Sequence, residues 1–128
     1  MTHPILSLQA SLVAALRTAD IAVFDAPPAG RTPPYVVIAR HDVLPRDGDT
    51  APGYEHRLLL HVWAAEASRK AAVMLAETVM SIALTAELVG GALQVTLRRH
   101  DRTDTSMDAA TGRARAAVSM TFYSEPST

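Results

Sequence analysis

One face of residues 54–63 is more apolar than the other, with the two-residue repeat of a β-strand. One face of this segment is mainly apolar and is expected to be buried: Tyr54, His56, Leu58, Leu60 and Val62. The other face is the more polar one and carries Glu55, Arg57, Leu59, His61 and Trp63. A two-residue period of this kind predicts a strand that is buried on one face only.

The period changes directly after this strand. From residue 68, apolar residues recur every three or four positions, at Ala72, Leu75, Val79, Ile82 and Ala86. This spacing predicts an amphipathic helix over residues 68–88. Gly90 and Gly91 are expected to end it, because glycine adopts the left-handed backbone of a helix terminus without a Cβ clash.

The remaining elements follow from the same two periods. Pro4 suits a first helical turn and predicts a helix over residues 4–19. A short apolar run at 21–25 predicts a brief strand, and a β-branched run beginning at Tyr35 predicts another. This second strand is expected to form a hairpin over residues 35–63, with its loop at 42–54. Strands are predicted at 92–98 and 113–123, joined by a polar loop at 99–112.

The predicted order is therefore α-β-β-β-α-β-β. Both helices have an apolar stripe, and the strands have one apolar face. We therefore expect an α+β two-layer sandwich, with a mixed or antiparallel sheet of four or five strands and both helices on one face. With 128 residues, the chain is interpreted as a single domain, residues 1–128.

Composition limits the class of protein. The sequence contains no cysteine, which excludes disulfides and thiolate chemistry, and its net charge of −1 argues against a dedicated nucleic-acid binder. No apolar stretch is long enough to span a membrane, so the protein is expected to be cytoplasmic when made. Its 23 alanines imply a thin core, which self-association would help to stabilise.

The sequence offers no catalytic, cofactor-binding or metal-binding motif. The five histidines form no close ligand pair, and His56 and His61 are expected on opposite faces of their strand. No GxSxG elbow, P-loop or dinucleotide-binding fingerprint is present. We therefore expect a protein that is not an enzyme.

Two alternatives stay open from the residues. One is a small-ligand-binding or enzymatic α+β dimer that binds anions through Arg57, His61, Arg113 and Arg115. The other is a DNA-binding module built on the arginine-rich last hairpin. Its affinity for DNA would fall steeply with salt.

Three features of the sequence are similar to those of a known protein family. They are the segment Pro34-Tyr35-Val-Val-Ile, the loop with Gly48 and Gly53, and Leu-Leu-Leu-His61-Val62-Trp63-Ala64 running directly into an alanine-rich helix. Together they resemble the tail-completion or tail-terminator proteins of long-tailed phages and gene transfer agents, over roughly residues 4–122. In that family a glycine often follows the tryptophan, and here residues 64–67 contain none.

The resemblance implies a structural virion protein whose subunits close a ring, a homohexamer, at the end of the tail tube. Its partners would be copies of itself, the tail tube protein and the head-tail connector or stopper. DNA would pass through the ring without sequence-specific binding, and no membrane would be involved. We expect the interface to include Arg46, Asp47, Asp49, Tyr54, Arg99, Arg102 and Asp104. Trp63 is expected to be a structural anchor beside the helix.

Overall fold

A computed structural model describes residues 3–46, 52–88 and 93–126. Its elements are α1 (Pro4–Thr18), β1 (Val23–Phe24), β2 (Tyr35–Pro45), β3 (Tyr54–Trp63), α2 (Arg69–Thr85), β4 (Leu93–Met107) and β5 (Ala114–Pro126). Over these residues the strands form a single sheet in the order β1-β2-β3-β5-β4, in which β1 is parallel to β2 and the other neighbours are antiparallel. The α+β sandwich and the element order are confirmed.

Both helices begin at side-chain caps. The ring of His3 accepts a hydrogen bond from the amide of Ile5 at the start of α1, and the hydroxyl of Ser68 accepts one from Ala71 at the start of α2. Each cap satisfies a backbone donor that the helix itself leaves free.

Helix α2 ends at Thr85, three residues before the predicted end. The guanidinium of Arg98 donates to the carbonyl oxygens of Ala83 and Ala86, at 3.2 and 2.5 Å. These bonds satisfy carbonyls of the last turn from outside the helix, so the helix ends here without a glycine cap. The predicted stop at Gly90 and Gly91 lies outside the described residues.

The core lies between the helices and one face of the sheet. Helix α1 contributes Leu8, Leu12 and Leu16, all with no exposed surface. The alternation predicted for the last strand is confirmed, since one face is entirely buried: Ala114, Ala116, Val118, Met120 and Phe122. The buried face of β3 is also as predicted, from His56 to Val62.

Helix α2 packs through a narrower row than its apolar pattern predicts. The buried positions are Ala72, Ala76, Val79 and Ala83, whereas Leu75 and Ile82 are only partly buried against the core. Small side chains in the contact row allow the helix to approach β4 and β5 closely. This is the thin, alanine-rich core that the composition predicts.

The two predicted loops are shorter than expected. Strand β2 runs to Pro45 and β4 runs to Met107, so residues 42–45 and 99–107 are strand. A strand at the edge of a sheet with one face in water needs no apolar alternation, because ladder hydrogen bonds on its inner side hold it. Register shifts at 38/40, 95/97 and 100/102 also interrupt the two-residue pattern.

Trp63 lies outside the apolar core cluster. It lies on the face away from the helices, opposite Tyr35 on β2 and Arg115 on β5, and it is half-buried. The Cζ atom of Arg115 lies 5.8 Å from the centre of the Trp63 ring, a cation–π distance. The alternation of the strand places Trp63 on this face, and its role as a structural anchor stays a prediction.

This placement predicts a difference between two aromatic truncations. Phe122→Ala should lower the free energy of unfolding by about 3–5 kcal/mol, since it removes a fully buried ring. Trp63→Ala should cost less, about 1–2 kcal/mol, because its ring is incompletely buried and lies outside the apolar core cluster. Urea titrations of both variants measure the difference, and equal costs would contradict the placement of Trp63.

Candidate functional site: the open face of the sheet and its ends

No described helix covers the second face of the sheet, here called the open face. Its members come from four strands: Arg40 and Asp42 of β2, Glu55, Arg57, Leu59, His61 and Trp63 of β3, Arg115, Ala117, Ser119, Thr121 and Tyr123 of β5, and Arg99, Arg102 and Asp104 of β4. Directly paired residues of neighbouring strands share a face, so these side chains form transverse rows.

A shallow concavity of about 480 Å³ lies in the middle of the open face. Its lining is largely charged: Arg40, Asp42, Glu55, Arg57, Arg99 and Asp101. Two register shifts, one in β2 and one in β4, flank the row formed by Leu59 and Ser119. Because bulges bend a strand and increase its twist, they account for the curvature here.

Glu55 is the most enclosed charged group of the open face, with its side chain only 7% exposed. Its carboxylate accepts hydrogen bonds from Nε of Arg57 at 2.8 Å and Nε of Arg46 at 3.1 Å. The bonds from Arg57 and Arg46 lower the pKa of Glu55. The residue is therefore held as a carboxylate between two guanidinium groups, and it cannot serve as a proton donor near neutral pH.

Asp101, at the bulge of β4, is also fully engaged. Its carboxylate accepts a bond from the hydroxyl of Thr121 on β5 and one from Nε of Arg99 at 2.7 Å. The Thr121 bond, and then the pairing with Arg99, lower the pKa of Asp101. The carboxylates of the concavity are thus bound to neighbouring donors. They stabilise the polar face and do not form an acid–base pair.

The enclosure of Glu55 predicts a larger effect there than at an exposed carboxylate. Glu55→Gln should lower the thermal midpoint, because two arginines lose their charged acceptor. Glu77→Gln is the matched control, since it makes the same substitution at an exposed residue of α2. Equal shifts of the two thermal midpoints would show that the Glu55 contacts add nothing.

A chain of polar side chains crosses the other, helix-facing side of the sheet. The amide nitrogen of Gln9 lies 3.2 Å from Nδ1 of His41, Nε2 of His41 lies 2.8 Å from Nδ1 of His56, and Nε2 of His56 lies 2.7 Å from the hydroxyl of Ser124. The amide nitrogen can only donate, so His41 Nδ1 accepts and its Nε2 donates to His56. One direction of donation thus satisfies the chain when both rings are neutral.

Burial disfavours protonation of both rings. Desolvation, and then repulsion from His56, lowers the pKa of His41 to about 4. Desolvation, with a smaller contribution from His3, likewise lowers the pKa of His56 to about 4. A proton added to either ring would place two donors against each other, so the chain of bonds requires neutral imidazoles.

These shifts predict destabilisation in mild acid. Unfolded histidine titrates near pH 6.5, so between pH 6.5 and 4 the unfolded chain binds more protons than the folded one. Stability is complete above that window, and each histidine removes up to about 1.4 kcal/mol per pH unit as the pH falls through it. Urea midpoints at pH 7, 6 and 5 measure the slope.

Two variants distinguish the contribution of the buried His41–His56 pair to the pH dependence from that of other titrating groups. His56→Gln should flatten the pH dependence, although it lowers stability at neutral pH. His100→Gln is the control, because His100 is exposed and bonds only the hydroxyl of Thr103 among the contacts described. An unchanged slope in His56→Gln would contradict the role of the buried pair.

The residues expected at the interface fall in two regions. Arg46 and Tyr54 lie where β2 meets β3, and Asp47 and Asp49 lie outside the described residues. Arg99, Arg102 and Asp104 lie on strand β4 and not in a loop. At the first region the Arg46 amide donates to the Gly53 carbonyl at 2.7 Å, and a Cβ on Gly53 would lie 2.6 Å from the Arg46 carbonyl oxygen.

The two connections of the sheet lie at opposite ends of it. Tyr54, after the β2–β3 connection, pairs with Ser124, and Trp63 pairs with Arg115, just after the β4–β5 turn. The ten residues of β3 separate the two ends, which corresponds to about 30 Å at the rise of a strand. The molecule therefore has one of these two hairpin connections at each end of β3.

The four residues of the anion-binding alternative are not brought together. Arg57 pairs with Thr121, while Arg115 lies opposite Trp63, which is six strand positions away, about 20 Å. Arg57 is also bonded to Glu55.

The DNA-binding alternative relies on the arginines of the last hairpin. Arg98 donates to carbonyl oxygens at the end of α2, and Arg99 and Arg102 form ion pairs with Asp101 and Asp104. Three of the five arginines of the last hairpin are therefore engaged within the subunit, whereas Arg113 and Arg115 form no ion pair among the described residues.

Sequence reasoning missed two features of this site, the enclosure of Glu55 and the His41–His56 pair. The spacing of Glu55 and Arg57 by two residues places them on one face and was available as a signal. Nothing in the chain pairs His41 with His56 until the hairpin register is known. As expected, His56 and His61 lie on opposite faces.

Within residues 3–46, 52–88 and 93–126, no group of three or more histidine, aspartate or glutamate side chains is placed to hold a metal ion. Among the same residues, no helix is long and apolar enough to cross a membrane.

Comparison with known proteins identifies the family. The family model described as tail completion protein gp17 matches residues 6–124. The chain belongs to this tail completion family. It is therefore a structural tail protein, and the resemblance drawn from the hairpin and the alanine-rich helix is confirmed.

A solved structure agrees with this assignment. A chain in a structure titled "Virion of native gene transfer agent (GTA) particle" is 26% identical, with a TM-score of 0.68, over 94% of this chain and 90% of that one. A search of the curated proteins found no match. The tail completion fold of this chain is thus shared with a component of an assembled virion.

Proposed function

We propose that this tail completion protein forms a closed homohexameric ring that terminates the tail tube and joins it to the head connector. The observation that carries the proposal is the match to a chain of an assembled gene transfer agent virion, over nearly the whole length of both chains. The family match over residues 6–124 supports the same role. The particle would be a phage or a gene transfer agent, and DNA would pass through the ring.

The geometry of the subunit supports this role. A protein that joins two assemblies needs a contact surface at each end, and the β2–β3 connection and the β4–β5 turn lie at opposite ends of the sheet. Charged groups of the open face are paired within the subunit, as at Glu55 and Asp101. Such a face tolerates water, as the inner or outer wall of a ring must.

The proposed ring predicts one dominant multimer. Native mass spectrometry over a concentration series, with and without tail tubes, should give hexamers, either free or only on tubes, because weak contacts close a ring by mass action. A stable dimer that is indifferent to tubes would contradict the proposal and favour a ligand-binding protein.

The same role predicts a defect in particle assembly. Particles produced without this chain should accumulate heads and tails that are not joined, as seen by electron microscopy. Expression of the wild-type chain in trans is the control and should restore joined particles. Normal joined particles in its absence would refute the role at the head-tail junction.

A further inference from the structure

Both lateral edges of the sheet carry unpaired strands in the described structure. Strand β1 covers β2 only at Val36 and Val37, which leaves the outer side of residues 38–45 without a strand partner among the described residues. Strand β4 forms the opposite edge over its fifteen residues, Leu93–Met107. Each edge presents backbone N–H and C=O groups that can pair with another strand.

The two edges carry the same charge motif on the open face. Strand β2 reads Arg40-His-Asp42 and β4 reads Arg102-Thr-Asp104. Nε of Arg40 lies 2.9 Å from the Asp42 carboxylate, and a guanidinium nitrogen of Arg102 lies 3.4 Å from that of Asp104. Both pairs are solvated, with the arginine side chains 71% and 74% exposed, so water screens them and they add little to the stability of the subunit.

Each motif lies in a regularly paired part of its edge strand, directly after the β-bulge of that strand. The register of β2 shifts between Ile38 and Arg40, and that of β4 shifts between His100 and Arg102. Arg40 and Asp42 share the face of Leu59 and Arg57, and Arg102 and Asp104 share the face of Ser119 and Ala117. Parity therefore allows these two segments to pair directly with all four charges on the open face.

We propose that β2 of one subunit pairs antiparallel with β4 of the next copy, with Arg40 opposite Asp104 and Asp42 opposite Arg102. This inference rests on the proposed ring and names the surfaces that close it. Within a subunit β2 and β4 run in opposite directions, because each adjacent pair from β2 through β3 and β5 to β4 is antiparallel. Copies rotated about an axis along the strands keep those directions, so β2 meets the neighbour's β4 antiparallel.

Charge complementarity selects this register, and the ring selects the partner edge. In the antiparallel register each arginine faces an aspartate on the other strand, whereas the parallel register would place like charges opposite each other. A two-fold pair of β2 with β2, or of β4 with β4, would also match charges. It would use one patch twice and could not continue around a ring, which needs two different patches per subunit.

Disulfide trapping tests the pairing. The chain has no cysteine, so cross-links form only at introduced positions. Arg40→Cys mixed with Asp104→Cys should give disulfide dimers in non-reducing gels, and each variant alone should give few, because opposed residues are within disulfide reach. The double variant should give a ladder that ends in a closed species. Glu77→Cys, exposed on α2, mixed with Asp104→Cys is the matched control and should stay at background.

Charge exchange gives a second, independent readout. The first exchange, on β2, is Arg40→Asp with Asp42→Arg. It should shift the multimers to monomers, since it places like charges opposite each other. The second exchange, on β4, is Arg102→Asp with Asp104→Arg, and it should have the same effect. Combining both exchanges should restore assembly. The four side chains are exposed or half-buried, and circular dichroism checks that each variant is folded.

The outcomes separate this pairing from the ring itself. Hexamers in native mass spectra without mixed cross-links would overturn the edge pairing and leave the ring intact. Cross-links of Arg40→Cys with Asp42→Cys, or of Arg102→Cys with Asp104→Cys, together with assembly that survives the exchange on one strand only, would indicate a two-fold contact and overturn the proposal. Mixed cross-links with rescue by the combined exchange would support it.

Discussion

The pairing of β3 with β5 is the constraint on which the rest of the molecule depends. Ten successive residues of each strand are paired, from Tyr54 with Ser124 to Trp63 with Arg115. Alternate rows of side chains therefore face either the helices or the solvent. The buried rows are filled largely by small and aliphatic residues, and α2 approaches them through Ala72, Ala76 and Ala83. A shift of this register by one residue would reverse the facing of one strand and place its arginine, Arg57 or Arg115, in the core.

The buried polar chain strengthens the same constraint. Gln9, His41, His56 and Ser124 come from α1, β2, β3 and β5, so their bonds form only when four elements are in register. An apolar core of alanines and aliphatic residues tolerates small displacements, whereas an unsatisfied buried imidazole does not. These hydrogen bonds therefore contribute specificity to a core that is built largely from small apolar side chains. The same property makes the fold sensitive to acid, because its bonds require neutral rings.

Sequence reasoning recovered the elements whose period reflects one-sided burial. Helices α1 and α2, the buried face of β3 and the whole of β5 follow from positions such as Leu12, Leu60 and Phe122. It failed where neither face nor period is informative. Residues 99–107 are charged because β4 is an edge strand in water, and that pattern is indistinguishable from a loop until β5 is placed beside it. Strand parity placed Trp63 on the second face of β3, where the structure has it, but the sequence could not show that Arg115 lies beside its ring.

The distribution of charge distinguishes the centre of the open face from the sheet edges at which we propose assembly. Carboxylates at the centre of the open face form ion pairs within the subunit, since Glu55 and Asp101 bind the arginines beside them. Such groups are poor recognition elements, because a partner would have to replace bonds that already exist. The exposed pairs at Arg40 and Arg102 are different, because solvent weakens them and a neighbouring strand offers the same partners at no loss of hydrogen bonding. Charged edges also deter indiscriminate strand addition. Assembly through them therefore depends on matched charge in one register, which confines pairing to a strand that carries the complementary motif.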